Sequence, residues 1–222
     1  MAPFGTIYSY PNNFRVDRAR AIAAINGLQL ATDPSFVFGV TNKSPEFLAK
    51  FPLGKVPALE TADGFRLTEG QAICQFLAES GPKADQLLGS DPRTRAKINE
   101  WVCFSEQELV ANAIPPLIMV LLKLVPYDEA WHKRAVGNFE GALAKVEAGL
   151  QERTSKFLVG DELTLADIMV GGVLAFAGKW LMDAEMRKLA PSVEGYLKDF
   201  TSVEEVKANF GDVQLCETRA QL

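Results

Sequence analysis

The stretch that constrains the fold most is residues 51–59, which read Phe-Pro-Leu-Gly-Lys-Val-Pro-Ala-Leu. Pro57 stands where a β-strand would begin, and proline cannot donate a main-chain hydrogen bond to a neighbouring strand. We therefore expect a turn with a cis Val56–Pro57 bond, since cis bonds are found almost entirely before proline. In that turn, Val56 would direct its N–H and C=O to a peptide-like ligand. An ordinary proline on an edge strand is the alternative.

A second informative segment, residues 68–73, reads Thr-Glu-Gly-Gln-Ala-Ile. Thr68 and Gln71 have the spacing of a capping box, which predicts the start of a helix here. The N–H groups of a first helical turn attract anions, so a carboxylate would fit at this point. The alternative is a well-capped helix with no ligand.

The N-terminal part of the sequence alternates strand and helix patterns. Predicted strands span residues 6–10, 35–40, 58–61 and 65–68, and predicted helices span residues 15–26 and 69–79. Asp63-Gly64 lies between the last two strands and favours a β-hairpin. This alternation indicates an α/β domain over residues 1–81.

The rest of the sequence has helical periodicity only. Residues 82–92 are rich in Gly, Pro, Ser and Asp, which is typical of a linker. The predicted helices beyond it span residues 96–109, 131–152, 191–200 and 203–208, with another beginning at Thr164, three residues before Asp167. We therefore expect an all-helical domain over residues 93–222.

Composition excludes several classes of function. The longest apolar run, residues 117–122, falls far short of the roughly 20 residues that span a bilayer. The N-terminus has no charged region leading into an apolar one, so a cytoplasmic protein without a membrane partner is expected. The net charge of −5 comes without a basic stripe, which argues against nucleic acid as a partner.

The positions of the cysteines and of the single histidine do not indicate a disulfide, a metal site or a catalytic triad. Cys74, Cys103 and Cys216 are far apart with no C-x-x-C pair, which argues against disulfides, a metal site and a dithiol redox centre. His132 lies among charged residues and is expected to be a plain surface residue. The sequence therefore predicts no metal ion and no histidine-based triad.

The two segments above, followed by Gly160-x-x-x-Thr-Leu-Ala-Asp167, resemble the glutathione transferase family over nearly the whole chain. Within that family, residues 8–15, 38–48, 51–59 and 213–217 are similar to the transferase-like domain of the elongation factor 1 gamma subunit and to stand-alone fungal transferases of that type. The resemblance implies a thioredoxin-like N-terminal domain that binds glutathione. It also implies that the helical domain holds a second substrate.

The resemblance assigns glutathione-binding roles to particular residues. Val56 corresponds to the residue whose main chain pairs with the cysteinyl part, and Pro57 to the family's cis-proline. Glu69 corresponds to the acidic residue at the γ-glutamyl end. Lys55 and Asn42 are placed near the glycyl carboxylate.

Gly70 departs from the family, which usually has Ser there. Losing that hydroxyl removes about 0.5 to 1.5 kcal/mol of hydrogen bonding, while the main-chain N–H remains. The resemblance therefore implies a site at Gly70 with reduced affinity for glutathione.

The family's catalysis requires the glutathione thiolate, because only the thiolate attacks electrophiles. An ungapped match puts Ser9 where the tyrosine-type classes have their catalytic Tyr. The serine-type classes place their hydroxyl nearer the first helix, where this chain has Asn12 and Asn13. We predict Ser9 as the hydroxyl donor and Arg15 as its electrostatic support, with Tyr8 and Tyr10 as core or dimer aromatics.

The resemblance implies an enzyme that joins glutathione to an apolar electrophilic small molecule, in detoxification or fungal secondary metabolism. The apolar segment 112–122 would be either a helix buried on several sides or a wall of the second-substrate pocket. A homodimer is expected, with the hairpin and third helix of the N-terminal domain packed against the partner's first long helix.

Two other functions compete with the enzyme. The first is a scaffold that binds other elongation-factor subunits with little or no catalysis, and the second is a non-catalytic glutathione-binding regulator. The elongation factor carries a Lys-rich linker and a further domain, whereas this sequence ends at residue 222. On that ground a free-standing enzyme is the first expectation.

Overall fold

The computed structural model describes residues 2–221, and its N-terminal part holds a mixed four-stranded sheet. The strands are β1 Gly5–Tyr8, β2 Leu30–Thr32, β3 Ala58–Thr61 and β4 Arg66–Thr68, in the order β2-β1-β3-β4. β1 is parallel to β2 and antiparallel to β3, with Ile7 opposite Leu59. β3 and β4 form the predicted hairpin.

Helices cover both faces of this sheet because side chains alternate along a strand. The helices are α1 Phe14–Ile25, α2 Pro45–Lys50 and α3 Gly70–Glu79, with a 3₁₀ turn at Thr41–Lys43. Ile7 and Leu59 belong to the large core that includes α1 and α3. Tyr8 and Ala58 point to the other face and pack with α2 in a smaller cluster.

The remainder of the described chain is helical. Its α-helices are α4 Ala84–Leu88, α5 Pro92–Phe104, α6 Ala111–Pro116, α7 Glu129–Glu152, α8 Leu165–Gly178, α9 Ala184–Arg187, α10 Val193–Thr201 and α11 Glu204–Phe210. π-Helical turns at Ser105–Val110 and Leu117–Leu121 flank α6. None of the helices within residues 2–221 is both long and apolar enough to cross a membrane. The predicted order, an α/β part followed by helices, is confirmed.

Helix α8 forms the centre of the helical part and begins at a closed polar cluster. Asp167, which is fully buried, accepts hydrogen bonds from the main-chain N–H groups of Leu158 (2.9 Å) and Thr164 (3.0 Å). The Thr164 and Tyr196 hydroxyls also donate to Asp167, at 3.0 and 3.1 Å. Burial raises the pKa of the Asp167 carboxyl, although these donors oppose the shift. The cap predicted at Thr164 and Asp167 is therefore present.

A buried arginine joins the two parts of the fold. Arg18, on α1, is 1% exposed, and its guanidinium donates to Glu106 Oε1 at 2.6 Å, to Ser105 Oγ at 3.0 Å and to the carbonyl of Met169. Burial lowers the pKa of Arg18, and the Glu106 carboxylate counteracts that shift. A buried charge needs such partners, so Arg18 ties α1 to the π-turn after α5 and to α8.

Two details of the predicted fold differ from the structure. The strand predicted at residues 35–40 is wrong: the second strand is Leu30–Thr32, and the apolar run after it closes local turns. The Val40 and Thr41 N–H groups both bond to the Val37 carbonyl, so this segment has no sheet partner. The segment predicted as a linker contains helix α4, and the domain boundaries at 81 and 93 stay a prediction.

The three cysteines are free thiols in the structure. Cys74, on α3, is buried in the large core, and burial raises the pKa of its thiol to about 12. It therefore stays protonated at neutral pH and acts as a small apolar core residue. Cys103 and Cys216 are half-buried.

Candidate functional site

Most of the predicted site residues line one pocket of about 640 Å³, between the start of α1, the segment before β3 and the start of α3. The predicted residues found there are Arg15, Asn42, Lys55, Val56, Pro57, Glu69 and Gly70. Ser9 is not among the residues that line it. The structure thus brings together seven of the eight residues proposed from the sequence.

The segment before β3 presents an unpaired peptide group to this pocket. The Val56–Pro57 bond is cis, which confirms the prediction. β3 begins at Ala58, so Val56 lies outside the sheet. Its N–H and C=O make no hydrogen bond with any of the described residues. A peptide-like ligand could therefore pair with both groups as a neighbouring strand would.

The buried side-chain amide of Asn42 stabilises the loop before β3. The side chain is 2% exposed, and its Nδ2 donates to the Gly54 carbonyl (2.7 Å) while its Oδ1 accepts from the Gly39 N–H (2.6 Å). Gly54 has φ +59°, and a Cβ there would lie 2.5 Å from the Asn42 carbonyl oxygen. Only glycine fits this close approach. Asn42 therefore holds two loops together at the pocket wall.

Helix α3 begins with uncapped N–H groups next to this segment. The capping box predicted for Thr68 and Gln71 is wrong, because the N-cap position is Glu69 and no side chain caps the helix. The first N–H bonded back into the helix is that of Ile73, to the Glu69 carbonyl. The N–H groups of Gly70 and Gln71 are therefore available to an anion.

Glu69 holds a strained main-chain conformation at this point. Its φ is +66° and its side chain is exposed. Such a φ is unfavourable for a residue with a Cβ and costs on the order of 1 to 3 kcal/mol. Strain of this kind concentrates at ligand sites, which makes Glu69 a candidate binding residue.

Three of the cationic side chains that line the pocket have no ion-pair partner among the described residues. Arg15 extends beside the start of α3, where a Cβ added to Gly70 would lie 3.5 Å from Arg15 Cδ. Among the ion pairs of the described residues, none involves Arg15, Lys43 or Lys55, all of which line the pocket. The site therefore favours a ligand with negative charge.

Tyr8, at the end of β1, lies in the core as predicted, whereas Tyr10, in the loop that follows, lines the pocket. Ser9 Oγ accepts a hydrogen bond from Asn13 Nδ2 at 2.9 Å. Tyr10 lines the pocket and packs edge-on against Phe38, with ring centroids 5.1 Å apart. Tyr8 belongs to the smaller core and donates to Glu60 at 3.2 Å, and burial, with the Glu60 carboxylate adding to it, raises the pKa of Tyr8.

Sequence reasoning missed the apolar rim of this pocket. Tyr10, Phe38 and Leu53 line it and are 39%, 57% and 70% exposed. Tyr10 and Phe38 lie in the segments 6–10 and 35–40, for which the sequence predicts strands. The available signal for Phe38 and Leu53 was their position beside Gly39 and Gly54, because apolar residues that flank turns are not placed in a sheet.

The apolar segment 112–122 does not reach this pocket. Ala113, Met119 and Val120 are buried, whereas Leu121 and Leu122 are about half exposed. Val120 borders a separate cavity of about 240 Å³ that His132 also lines. His132, predicted to lie on the surface, is half-buried, and burial and Arg219 lower its pKa.

A second pocket, of about 960 Å³, adjoins the first between α3 and α5. The two share Arg15, Glu69 and Gly70. The second pocket is also bordered by Glu106, the partner of buried Arg18. A ligand bound along Val56 and reaching the start of α3 would end at the boundary of these pockets.

Comparison with known proteins identifies relatives along the whole chain. The family profile of the glutathione S-transferase N-terminal domain matches residues 3–79, and that of the C-terminal domain matches residues 129–199. The chain is 43% identical over 219 residues to the glutathione S-transferase-like protein LUC7 of Fusarium sp., covering 99% of this chain and 98% of that protein.

Elongation factor 1-gamma of Carassius auratus is 36% identical over 220 residues, covering 98% of this chain, and this chain spans 48% of its length. The crystal structure of the theta class glutathione S-transferase from Xanthomonas axonopodis pv. citri, with glutathione bound, superposes with a TM-score of 0.77. That likeness, at 22% identity over 98% of this chain and 100% of the other, demonstrates a common fold. On the family profiles and the 43% identity, the chain belongs to the glutathione S-transferase family.

Proposed function

We propose that the chain is a glutathione transferase, which holds glutathione along Val56 and activates its thiol for attack on a small apolar electrophile. The main support is that the free peptide group of Val56 and the free N–H groups of Gly70 and Gln71 lie along one continuous surface. Glutathione is a tripeptide with a carboxylate at each end. Its cysteinyl part would pair with Val56 while one carboxylate meets the start of α3.

The charges of the pocket suit both ends of glutathione. The γ-glutamyl carboxylate would meet the N–H of Gly70 beside Arg15, and Glu69 would face the neighbouring ammonium group. The glycyl carboxylate would lie near Lys55, in the loop that Asn42 holds in place. Charge-assisted hydrogen bonds of this kind are about twice as strong as neutral ones.

Thiol activation would depend on the loop after β1. A thiol with a pKa of about 8.5 is only a few per cent ionised at pH 7, and lowering that pKa by two units requires about 2.7 kcal/mol. Arg15 would supply a positive field, since it has no ion-pair partner among the described residues. Ser9 would donate its hydroxyl proton, because its oxygen already accepts from Asn13. The Tyr10 hydroxyl is a second candidate donor, since Tyr10 lines the pocket.

The second substrate would be an apolar electrophile. Tyr10, Phe38 and Leu53 form an exposed apolar rim beside the place proposed for the thiol. Exposed apolar side chains grouped at a pocket favour an apolar ligand. The setting we propose is cytoplasmic detoxification or fungal secondary metabolism.

Turnover of a generic aryl halide with glutathione tests this proposal. The bound thiolate should be detectable by ultraviolet absorbance near neutral pH, and its signal should fall as the pH is lowered. Ser9→Ala and Arg15→Leu should each reduce turnover roughly ten- to a hundredfold, in line with about 1.5 to 3 kcal/mol for a hydrogen bond to a charged group. Tyr10→Phe, measured beside Ser9→Ala, would show which hydroxyl donates.

A scaffold role is the alternative that the resemblance to elongation factor 1-gamma supports. If glutathione binds with an unshifted thiol pKa and none of these substitutions changes turnover, the catalytic proposal fails. Copurification with other elongation-factor subunits would then support the scaffold.

We also propose a homodimer through the hairpin and α3, packed against α5 of the partner. Phe65, at the hairpin, is 48% exposed and packs on Phe76 of α3 with ring centroids 5.1 Å apart. An apolar patch of this kind is typical of an interface. Sedimentation at micromolar concentration should give a dimer, and Phe65→Glu should give a monomer. A monomeric wild-type protein would contradict this proposal.

A further inference from the structure

A small polar cavity of about 170 Å³ lies between the start of α1, the end of α8 and the segment after α11. Asn12, Phe14, Asp17, Phe176 and Lys179 line it, and residues 209–213 form a further wall. No described residue lines both this cavity and either of the two larger pockets. Each water in the liquid takes about 30 Å³, so the cavity has the size of a molecule of roughly six heavy atoms.

Asp17 brings a half-buried carboxylate to this cavity. Among the residues that the structure describes, none donates a hydrogen bond to this carboxylate or forms an ion pair with it. Burial raises the pKa of Asp17, and the charges of Arg20 and Lys179 oppose the shift. Carboxylates that are partly removed from water are normally paired, because the uncompensated charge is costly. The surroundings of Asp17 therefore favour a bound cation.

Lys179 contributes a positive charge to the same cavity from another element. It follows the last residue of α8, and its ammonium forms no ion pair within residues 2–221, with Asp17 or with any other carboxylate. One anionic and one cationic group thus line the cavity without neutralising each other. A ligand with both an ammonium and a carboxylate would pair with the two groups at once.

Phe14 and Phe176 give the cavity an apolar wall. Their rings are stacked, with centroids 4.4 Å apart and an angle of 17° between the planes. A short alkyl group would pack on these rings, whereas a third charged group would lose its hydration there. Concave sites that combine an apolar wall with a few polar groups and a shifted pKa are typical of ligand-binding sites.

We infer that this cavity is a second ligand site, which binds a small aliphatic α-amino acid. Asp17 binds the ammonium, Lys179 binds the carboxylate, and Phe14 and Phe176 contact the side chain. This site is separate from the one proposed for glutathione and goes beyond the function proposed above. The loop after β1 borders the cavity through Asn12 and the glutathione pocket through Tyr10, so the same loop contributes to both sites.

Titration of the full chain with three small molecules, followed by backbone amide NMR shifts, tests the inference. L-alanine has both charges, ethylamine lacks only the carboxylate, and propionate lacks only the ammonium. L-alanine should bind at least about tenfold more tightly than propionate, because the partner of the half-buried Asp17 is charged. It should bind about threefold more tightly than ethylamine, because the exposed Lys179 contributes less. The amides of residues 12–17 and 209–213 should shift, and saturating glutathione should not displace L-alanine.

Two substitutions separate the contributions of the two charges. Asp17→Asn should weaken L-alanine by about tenfold or more and leave propionate within about twofold. Lys179→Gln should weaken L-alanine by about threefold and leave ethylamine within about twofold. Asp161→Asn and Lys133→Gln, at exposed positions outside the cavity, are the matched controls and should change none of the affinities.

L-alanine that binds no better than propionate overturns the inference, as does an L-alanine affinity that Asp17→Asn leaves unchanged. Displacement by glutathione, or shifts confined to Val56 and Gly70, would place L-alanine in the glutathione pocket and overturn it as well. If Asp17→Asn does not fold, Lys179→Gln tests the inference through the ratio of the L-alanine and ethylamine affinities. A chain that binds L-alanine as expected but not glutathione overturns the proposed function alone.

Discussion

The starts of α8 and α3 differ in how the polar groups around the N-cap residue are paired. At α8, the buried Asp167 carboxylate accepts hydrogen bonds from the N–H groups of Leu158 and Thr164 and from the Thr164 hydroxyl. At α3, no side chain caps the helix, and Glu69 is exposed with a φ of +66°. The difference teaches that one helix start stabilises the fold, whereas the other remains open to a ligand.

The two helix starts also differ in their effect on the stability of the fold. Satisfying buried polar groups contributes stability, because each one left unpaired costs about 1 to 3 kcal/mol. A strained, uncapped turn reduces stability and is retained where the exposed groups bind something. Substitutions at α8 should therefore change the free energy of unfolding, and substitutions at α3 should change glutathione affinity.

Asp167→Ala should give the largest effect. It removes the acceptor for two main-chain N–H groups and for the Tyr196 hydroxyl, and leaves them buried. We expect a loss of about 3 to 5 kcal/mol in the free energy of unfolding, measured by chemical denaturation. Asp161→Ala, at an exposed position just before the cap, should stay within about 0.5 kcal/mol of wild type. A loss below about 1 kcal/mol at Asp167 would mean that the cap adds little.

Glu69→Ala should weaken glutathione binding by more than about tenfold, since it removes a charged partner of the ligand. The free energy of unfolding should stay within about 0.5 kcal/mol, because the side chain is exposed and Ala retains the same strain. Calorimetry measures the affinity, and exposed Glu162→Ala is the control of equal charge change. Unchanged affinity would place the ligand elsewhere.

Gly70→Ser should tighten glutathione binding by about two- to tenfold, because it adds a hydroxyl donor at the start of α3. A Cβ at Gly70 has room, since its nearest neighbours are Cδ and Cβ of Arg15, at 3.5 and 3.6 Å, and Pro57 Cγ at 3.7 Å. Gly70→Ala adds the Cβ without the hydroxyl and should leave the affinity within about twofold. Equal tightening by Ala and Ser would show that the hydroxyl is irrelevant. Both affinities can be measured by calorimetry.

Thr68→Ala should have the smallest effect on stability. Thr68 makes no capping bond, so the free energy of unfolding should change by less than about 0.5 kcal/mol. The matched substitution Thr164→Ala removes a cap hydroxyl and should cost about 1 kcal/mol. Chemical denaturation of both variants measures the two changes in the free energy of unfolding. Equal losses would abolish the distinction between the two helix starts.

The comparison also explains where sequence reasoning succeeded. Both Thr164–Asp167 and Thr68–Gln71 have capping-box spacing, yet only the first forms the cap. Spacing is a local property, and it contains no information about the positive φ of Glu69 at the N-cap position of α3. The alternation of strands and helices was predictable because it depends on periodicity within single elements.

The misplaced strand has a similar physical origin. Residues 35–40 are apolar, and a short apolar run indicates burial without saying where. In the structure Phe36 packs on Tyr8 and Phe47, whereas Phe38 borders the pocket. The contact between Arg18 and Glu106 gave no signal either, since the two residues are 88 positions apart in sequence.

The single large core has a consequence for how the protein unfolds. Buried residues from Ile7 in β1 to Phe200 in α10 belong to one continuous cluster, and Arg18 lies fully enclosed where the two parts meet. Separating the parts would expose that cluster and leave the Arg18 guanidinium without its partners. The α/β and helical parts are therefore distinct in topology but form one cooperative unit in thermodynamics. Fluorescence of Trp101 and Trp180, both in the helical part, should lose its native signal in the same transition that melts the sheet.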